Sequence, residues 1–337
     1  MLKVAINGFG RIGRSAFKIA IDKFADQVEV VAINDLADAK TLAHLLKYDS
    51  NYGVWPHHVT SDEKHIIIDQ KPYLVLQEKD PQNLPWKDLV VDVVIESTGK
   101  FTKPEAAKLH LSAGAKKVII SAPVHGDGQG VPTYLLGVNE EHYNNEEIIS
   151  NSSCTTNCVA PVAKVMDERF GILKGMMTTV HAYTQDQQLQ DGPHKDLRRA
   201  RGAAQNIVPT STGAAISTTE VIPDLKGKFD GISLRVPVAV GSISDFTLVL
   251  KRKVTVDEIN QALKEAAESP KLKGILAVTD DPIVSSDIIG RSESAIVDLG
   301  LTQVVDGDMV KVFAWYDNEY GYSHRLIEQV INMGSVV

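Results

Sequence analysis

A glycine-spaced turn near the N-terminus constrains the fold of this chain more than any other feature. KVAING (3–8) predicts a short buried strand, which leads directly into Gly8, Gly10 and Gly13 of GFGRIG. RSAFKIAIDKF then has the apolar spacing of a helix, and a second buried strand, VEVVAIND, ends in Asp35. A strand, a glycine-rich turn, a helix and an acid about 20 residues later together predict a dinucleotide-binding βαβ unit. A tight turn without a ligand is the alternative.

The cofactor class follows from the same residues. Glycines let the backbone approach a pyrophosphate, whose negative charge the helix N-terminus stabilises. Asp35 is placed to accept hydrogen bonds from the adenosine ribose hydroxyls. A carboxylate about 4 Å from a 2′-phosphate repels it by up to about 4 kcal/mol per charge. Leu36 and Ala37 follow the acid and supply no compensating positive charge, so the sequence predicts NAD rather than NADP.

Two further apolar runs end in small polar residues. They are LVVDVVIESTG (89–99) and KKVIISAP (116–123). Parallel strands present their ligand crevice at their carboxyl ends, so the candidates to line the cofactor site are Ser97, Thr98, Gly99 and Ser121. Helix-like segments, ADAKTLAHLLKY and KPEAAKLHLSAG, alternate with these strands. The first part of the chain is therefore predicted to be a Rossmann-type, doubly wound α/β domain with a parallel sheet.

The composition limits the classes of function that remain. A chain of 337 residues is long enough for two domains, and its net charge of −8 argues against a general nucleic-acid or anionic-membrane surface. No apolar run approaches the length of a membrane span, and the N-terminus lacks the pattern of a signal peptide. Two cysteines cannot form a disulfide framework. We therefore expect a cytoplasmic protein without membrane or nucleic-acid binding as its main role.

Both cysteines lie in SSCTTNC (152–158). The strand EEIIS precedes them, and apolar helical periodicity begins at Val159. Cys154 is thus predicted at a helix start, where the dipole and unpaired N–H groups stabilise an anion and can lower a thiol pKa. Cys158, one turn further along, is predicted to pack as a small apolar side chain. Cys154 is the candidate nucleophile, and His181, near the end of the strand MMTTVHAYT, is the candidate base. A buried core histidine is the alternative for His181.

Other arrangements of these residue types are less favourable. A disulfide between cysteines four apart on one helix is strained, and a CxxxC pair lacks the ligands of a common structural zinc site. HHVTSDEKH (57–65) is rich in histidine but lacks zinc-motif spacing and is typical of an exposed hairpin. We expect no metal. The basic cluster HKDLRRAR (194–201) taken alone is typical of a solvated helix face.

With these motifs in place, the sequence resembles the phosphorylating glyceraldehyde-3-phosphate dehydrogenases. The likeness extends from residue 4 to about residue 329 and keeps the family's order and spacing. It is carried by INGFGRIGR, AINDL, LLKYDSNYG, STGKF, SCTTNC, HAYTQDQ, PHKDLRRAR, PTSTGAA, LRVP and WYDNEYGYSHR. The resemblance also places HKDLRRAR in a loop beside the active site, rather than on a helix.

The resemblance implies a two-domain subunit that usually assembles as a homotetramer. The NAD-binding domain is expected at 1–153 and 317–337, where the C-terminal helix YSHRLIEQVINMG returns to it. An α+β catalytic domain with a mostly antiparallel sheet is expected at 154–316. The alternating patterns FTLVLKRKV (246–254) and MVKVFAWYD (309–317) fit that sheet.

The resemblance also implies individual roles. Cys154 matches the nucleophile and His181 its partner. The pocket for the C3 phosphate of the substrate corresponds to Thr184, Asp186 and Arg235. The site of the attacking inorganic phosphate corresponds to Ser153, Thr155, Arg199, Thr212 and Gly213. The positions around NAD correspond to Arg11, Ile12, Asp35, Lys79, Ser121 and Asn318, in addition to the glycines and Ser97 and Thr98 above.

The implied reaction is the NAD-dependent oxidation of D-glyceraldehyde 3-phosphate, with inorganic phosphate as second substrate, to 1,3-bisphosphoglycerate. Position 79 departs from the family, since Lys stands where many members have Arg. The change keeps the charge but loses the planar guanidinium. Erythrose-4-phosphate dehydrogenase, or a related Cys-dependent semialdehyde dehydrogenase, is the enzymatic alternative. A secondary binding role, for RNA or a host surface, is the alternative from another class.

Overall fold

Alternating strands and helices at the N-terminal end form the first of two compact units of this chain. The structure is a computed structural model, and it describes residues 1–124 and 130–334. The first unit holds residues up to 134, residues 141–152 and residues from 323 onward. The second holds residues 135–140 and 153–322.

Within its described residues, the first unit contains ten strands and three α-helices in addition to most of the C-terminal helix. In chain order these are β1 (Leu2–Asn7), α1 (Arg11–Lys23), β2 (Val28–Asn34), α2 (Ala39–Lys47), β3 (Tyr48–Asp49), β4 (Gly53–Val54), β5 (Val59–Ser61), β6 (His65–Ile68), β7 (Lys71–Leu76), β8 (Val93–Glu96), α3 (Pro104–Ser112), β9 (Lys117–Ile120) and β10 (Ile148–Ser150).

The main sheet of this unit has the order β10-β9-β8-β1-β2-β7-β6-β5. From β10 to β7 every neighbouring pair is parallel, whereas β5, β6 and β7 are joined antiparallel. The predicted doubly wound parallel sheet is confirmed. Strands β8 and β9 are buried along their whole length, as expected for parallel strands covered on both faces.

The register of the sheet brings four strand ends to one level. Asn7, at the end of β1, pairs with Asn34 of β2 and with Glu96 of β8. Glu96 pairs in turn with Ile120 of β9. The polar residues that follow these strands therefore meet at one edge of the sheet, as parallel strands require.

The second unit contains the remaining strands and three further helices among the described residues. In chain order these are α4 (Cys154–Phe170), β11 (Ile172–Ala182), β12 (Val208–Ser211), α5 (Ala214–Val221), β13 (Phe229–Val236), β14 (Ser242–Leu250), α6 (Val256–Glu268), β15 (Leu276–Thr279), β16 (Ala295–Asp298), β17 (Gln303–Val305) and β18 (Met309–Tyr316). The last helix, α7 (Tyr320–Gly334), belongs to the first unit from residue 323 onward.

The sheet of the second unit is mixed and mostly antiparallel, as predicted. Its order is β12-β13-β11-β14-β18-β16-β15, with β17 beside β18, and only β11–β13 and β15–β16 pair in parallel. Burial alternates residue by residue along β14, because one face of the sheet packs on α4 and α6. Val162 and Met166 of α4 share the core with Phe246 and Leu263.

The structure confirms the prediction for the histidine-rich segment 57–65 and contradicts the prediction for the basic segment 194–201. Strands β5 and β6 pair antiparallel with a short turn between them, so the histidine-rich segment 57–65 forms the predicted hairpin. HKDLRRAR forms turns and bends rather than a helix, so its interpretation as a helix face is wrong. None of the described helices is long and apolar enough to cross a membrane.

Candidate active site and nucleotide-binding site

In the glycine turn of the first unit, the space around the backbone differs from one glycine to the next. Gly8 has φ +94°, and a Cβ added there would lie 2.6 Å from the backbone N of Thr98. A Cβ on Gly13 would lie 2.1 Å from the Gly8 carbonyl oxygen. A Cβ on Gly10 would meet nothing within 4 Å. Gly8 and Gly13 therefore permit the turn itself, while the open space at Gly10, the N-cap of α1, fits the approach of a pyrophosphate to the helix start.

The other residues predicted around NAD follow the strand ends. Asp35 accepts hydrogen bonds from the backbone N–H of Phe9 at 2.8 Å and of Ala37 at 3.1 Å. The Ser97 hydroxyl donates to the Gly8 carbonyl at 2.7 Å. Thr98 follows Ser97, Ser121 follows β9, Lys79 is exposed after β7, and Ile12 lies in the first turn of α1. This edge of the sheet therefore carries every predicted NAD residue of the first unit.

Arg11 is not a free cation in this arrangement. Its Nη1 donates to Asp49 at 2.7 Å, and its guanidinium lies over the ring of Tyr52 at 5.7 Å. Burial raises the pKa of Asp49, but the hydrogen bond from Arg11 and neighbouring N–H groups outweigh it and hold this pKa below its ordinary value. Sequence reasoning missed Asp49, although it lies in the quoted segment LLKYDSNYG.

Helix α4 of the second unit begins at Cys154, as the sequence predicts. Ser153 is its N-cap, and the Ser153 hydroxyl accepts from the Thr156 N–H at 3.0 Å. The Sγ atom of Cys154 lies 3.5 Å from Nε2 of His181, which is the penultimate residue of β11 and 3% exposed. Cys158 is fully buried in the core of this unit, which confirms its predicted packing.

Tyr316 links the helix start to the histidine strand. Its hydroxyl is 2.9 Å from the hydroxyl of Thr155 and 2.8 Å from that of Thr179. Thr179 and His181 are two residues apart on β11 and so share a face, and the His181 ring meets the Tyr316 ring edge-on at 5.9 Å. Sequence reasoning missed Tyr316. It also expected Thr155 at a phosphate, whereas the Thr155 hydroxyl here bonds to Tyr316.

The protonation of the pair is set by burial. Burial lowers the pKa of His181 to about 3, and the charge of Arg235 acts in the same direction. Burial also raises the pKa of the Cys154 thiol, against the opposing effects of Arg235 and of Thr155. The lowered thiol pKa expected from the helix start is therefore wrong here, because desolvation is the larger effect. His181 Nδ1 lies 2.6 Å from the Ala182 carbonyl and 2.8 Å from Nη1 of Arg235, so an acceptor and a donor both face this nitrogen. Nε2 can accept a proton from Sγ in the tautomer that carries its proton on Nδ1, toward Ala182.

Arg235 is a half-buried cation, and among the described residues its buried Nε has no hydrogen-bond partner. It pairs with His181 in the register of β11 and β13, and its Nη1 lies 2.8 Å from His181 Nδ1 and 3.5 Å from the Thr184 hydroxyl. Among the described residues, no carboxylate forms an ion pair with it. Burial lowers the pKa of its guanidinium. A buried charge is stable only when compensated, so this position calls for an anion.

Arg199 is compensated by neighbouring acids. Its Nη1 donates to Asp186 at 2.5 Å, its Nε donates to the Thr210 hydroxyl at 2.8 Å, and its Nη2 donates to the Ser211 carbonyl at 3.2 Å. Asp186 is thus held by Arg199. Thr212 and Gly213 follow at the start of α5, where Gly213 is the N-cap. Arg199, Thr212 and Gly213 therefore belong to one local cluster.

Two remaining predictions concern Asn318 and metals. The Asn318 side-chain oxygen accepts from the Gly241 N–H at 3.0 Å and from the Ser242 hydroxyl at 3.1 Å, which turns its amide N–H₂ group toward other partners. Within residues 1–124 and 130–334, no group of three or more His, Cys, Asp or Glu side chains is arranged to hold a metal ion.

Comparison with known proteins gives a consistent result. The family model for the NAD binding domain of glyceraldehyde 3-phosphate dehydrogenase matches residues 2–104, and that for its C-terminal domain matches residues 153–318. The glyceraldehyde-3-phosphate dehydrogenase of Streptomyces coelicolor is 54% identical over 99% of both chains. That of Mycobacterium tuberculosis is 56% identical over 99% of this chain and 98% of its own. That of Geobacillus stearothermophilus is 53% identical over 97% of this chain and 96% of its own.

Proposed function

Because the chain belongs to the glyceraldehyde 3-phosphate dehydrogenase family, we propose that it oxidises D-glyceraldehyde 3-phosphate to 1,3-bisphosphoglycerate. Members of this family are NAD-dependent oxidoreductases of glycolysis, and NAD is the cofactor of this chain. One observation carries the choice of a phosphorylated aldehyde as substrate. It is the half-buried guanidinium of Arg235, which forms no ion pair with a carboxylate among the described residues and lies beside the Cys154–His181 pair.

The residues that hold NAD are proposed from the geometry of the first unit. The turn from Gly8 to Gly13 receives the pyrophosphate, and Asp35 receives the ribose hydroxyls. Lys79, Ser97, Thr98 and Ser121 line the same edge. The family resemblance alone assigns the nicotinamide carboxamide to the amide of Asn318. NAD, when bound, supplies the hydride acceptor for the oxidation.

The thiol of Cys154 forms the first covalent bond. As Sγ attacks the aldehyde carbon, its proton passes to Nε2 of His181 and then to the former carbonyl oxygen, which gives a thiohemiacetal. The backbone N–H of Cys154 and the imidazole of His181 stabilise the negative charge that develops on that oxygen. His181 next removes the hydroxyl proton as the hydride departs, which leaves a thioester on Cys154. Inorganic phosphate then attacks the thioester carbon, the C–S bond breaks, and the imidazolium returns a proton to sulfur.

The proposal includes two anion sites, one for the C3 phosphate of the substrate and one for inorganic phosphate. Arg235 and Thr184 bind the C3 phosphate of the substrate, because a guanidinium and a short hydroxyl suit a phosphate dianion. Burial is the main cause of the lowered pKa of His181, and the dianion offsets the smaller contribution of the Arg235 charge. The site of the attacking phosphate is assigned to Ser153, Thr155, Arg199, Thr212 and Gly213. Asp186 contributes by holding Arg199, since a carboxylate would repel a phosphate.

A homotetramer is proposed on the basis of exposed apolar side chains in the second unit. Leu189 and Leu197 are 83% and 80% exposed, and Met176 and Ile232 project from the open face of the sheet. Surfaces of this kind are commonly covered by further copies of a chain. Two free cysteines fit a reducing, cytoplasmic location.

The domain limits are also a proposal. The NAD-binding domain comprises 1–153 and 317–337, of which 125–129 and 335–337 lie outside the described residues, and the catalytic domain comprises 154–316.

The substrate assignment is tested with aldehydes that differ in their phosphate. Wild-type protein and Arg235→Ala are compared by kcat/KM for D-glyceraldehyde 3-phosphate and for D-glyceraldehyde. The proposal predicts that the wild type strongly prefers the phosphorylated aldehyde and that the variant loses most of this preference through a raised KM. Alkylation of Cys154 by iodoacetamide should persist in the variant. An unchanged KM, or better turnover of erythrose 4-phosphate, would contradict the assignment.

A further inference from the structure

A buried carboxylate lies directly beneath the glycine turn. Glu96 is the last residue of β8, and its side chain has no solvent exposure. Strand β8 neighbours β1, whose last residue, Asn7, immediately precedes Gly8. Glu96 therefore sits between the glycine turn and the segment that follows β8, both of which carry residues predicted to contact NAD.

All four acceptor positions of this carboxylate are used. Oε2 accepts from Asn7 Nδ2 at 2.6 Å and from His110 Nε2 at 3.0 Å. Oε1 accepts from the backbone N–H of Thr98 at 2.9 Å and from the Thr98 hydroxyl. Two donors on each oxygen saturate a carboxylate, so hydrogen bonds compensate the burial of this group.

The orientations of the two side-chain donors are themselves fixed. The indole Nε1–H of Trp86 can only donate, and it lies 3.0 Å from His110 Nδ1. This contact makes Nδ1 an acceptor and places the ring proton on Nε2, toward Glu96. Asn7 is oriented in the same way, because its Oδ1 accepts from Asn34 Nδ2 at 2.7 Å.

The carboxylate controls the position of the chain next to Gly8. A Cβ on Gly8 would lie 2.6 Å from the Thr98 N and 2.7 Å from the Ser97 carbonyl carbon, so this backbone packs directly on the turn. Glu96 holds the same Thr98 N–H. A displacement of Thr98 would therefore be passed to Gly8 without intervening side chains.

We propose that Glu96 is a positioning residue of the NAD site, whose carboxylate holds the turn at Gly8 and the Ser97–Thr98 segment in the arrangement that receives the cofactor. The inference rests on the proposed function, since it assigns Glu96 to the same NAD site. The His110 ring, with its tautomer set by Trp86, completes the hydrogen bonding of the carboxylate.

The test uses Glu96→Gln with Glu105→Gln as matched control. An amide at position 96 presents N–H groups to two of the four donors, whereas Glu105 is exposed on α3. We expect Glu96→Gln to raise the Kd for NAD at least about tenfold, the effect of one unmet buried hydrogen bond. The KM for the aldehyde at saturating NAD and the iodoacetamide reactivity of Cys154 should stay within about twofold of wild type. A Kd equal to that of the control would overturn the inference.

A second measurement tests the inference even if Glu96→Gln does not fold. The ¹⁵N chemical shifts of His110 in the wild-type protein should show an unprotonated Nδ1 and a protonated Nε2. Trp86→Phe should abolish the preference for this tautomer and weaken NAD binding. A protonated Nδ1 in the wild type would contradict the inference. Failure of the wild type itself to bind NAD would instead contradict the proposed function.

Discussion

The Sγ atom of Cys154 lies 3.5 Å from Nε2 of His181, although 27 residues separate them in the chain. Cys154 starts a helix and His181 ends a strand, and the hydroxyl of Tyr316 is bonded to a threonine on each of these elements. The proposed nucleophile and its proposed base are therefore positioned by secondary structure and by one buried phenol. The predictions below follow from this arrangement and from the edge of the first sheet.

Cys154→Ser is expected to lower kcat by at least about 10³-fold, because a hydroxyl is a far weaker nucleophile and leaving group here. Cys158→Ser is the matched control. It alters a fully buried thiol that touches no substrate in our proposal, so its kcat should stay near that of wild type. Steady-state kinetics and mass spectrometry after iodoacetamide treatment check both variants. Retained turnover in Cys154→Ser would place the nucleophile elsewhere.

His181→Asn is expected to lower kcat by about 10²- to 10⁴-fold, since it removes the acceptor of the thiol and hydroxyl protons. The Kd for NAD should change little, because the proposed reaction assigns His181 to the thiol and the aldehyde and not to the cofactor. Rapid mixing with one equivalent of aldehyde should show slowed NADH formation in the first turnover. A first turnover as fast as in the wild type would argue against a proton-transfer role.

Asp35→Asn is expected to increase kcat/KM for NADP at least about tenfold while NAD is used less well, because it removes the charge that repels a 2′-phosphate. Asparagine keeps an oxygen that can accept the Phe9 N–H, which Asp35 now binds at 2.8 Å. The turn should thus survive the change. Initial rates with both cofactors measure the ratio. Wild-type protein that used NADP as well as NAD would show that Asp35 does not select the cofactor.

The hairpin histidine His57 should make stability depend on pH. A hydrogen bond to Asp69 raises the pKa of His57 above its ordinary value of 6.5, with a smaller contribution from Asp22. A raised pKa in the folded state stabilises the fold below about pH 6.5, and this contribution is lost as the pH rises through the folded pKa. The pair is exposed, so solvent screening should keep the effect small.

His57→Gln should therefore lower the melting temperature at about pH 5.5 more than at about pH 9. His58→Gln, an exposed neighbour in the same hairpin, is the control and should show no such difference. An equal loss for His57→Gln at both pH values would mean that its contribution comes from packing on Trp55, whose ring lies 4.3 Å away.

Local patterns predicted the elements of this fold well, because their causes are local. The glycine spacing gave the strand, turn and helix around Gly8, and the capping residues placed the helix start at Cys154 itself. Both depend on backbone conformation and on hydrogen bonds over a few residues. The basic segment 194–201 failed as a helix because its charged side chains are held by Asp186, Asp191 and Thr210 in turns.

What could not be predicted depends on tertiary contacts. Tyr316 lies 161 residues from Thr155, and no local pattern marks it as a partner. The direction of the Cys154 pKa shift depends on burial that only the folded chain reveals. Glu96 lies inside the run LVVDVVIESTG, and two of its four hydrogen bonds come from Asn7 and His110, which are distant from it in the chain.

The most direct test of the account is NADH formation from D-glyceraldehyde 3-phosphate and NAD with and without inorganic phosphate. In the proposed reaction an anion bound near Arg199 releases the thioester from Cys154, so multiple turnovers should require phosphate or arsenate. Without either anion, NADH should stop at about one equivalent per active site. Sustained turnover in the absence of phosphate would mean that water releases the product, and it would contradict both the second anion site and the proposed reaction.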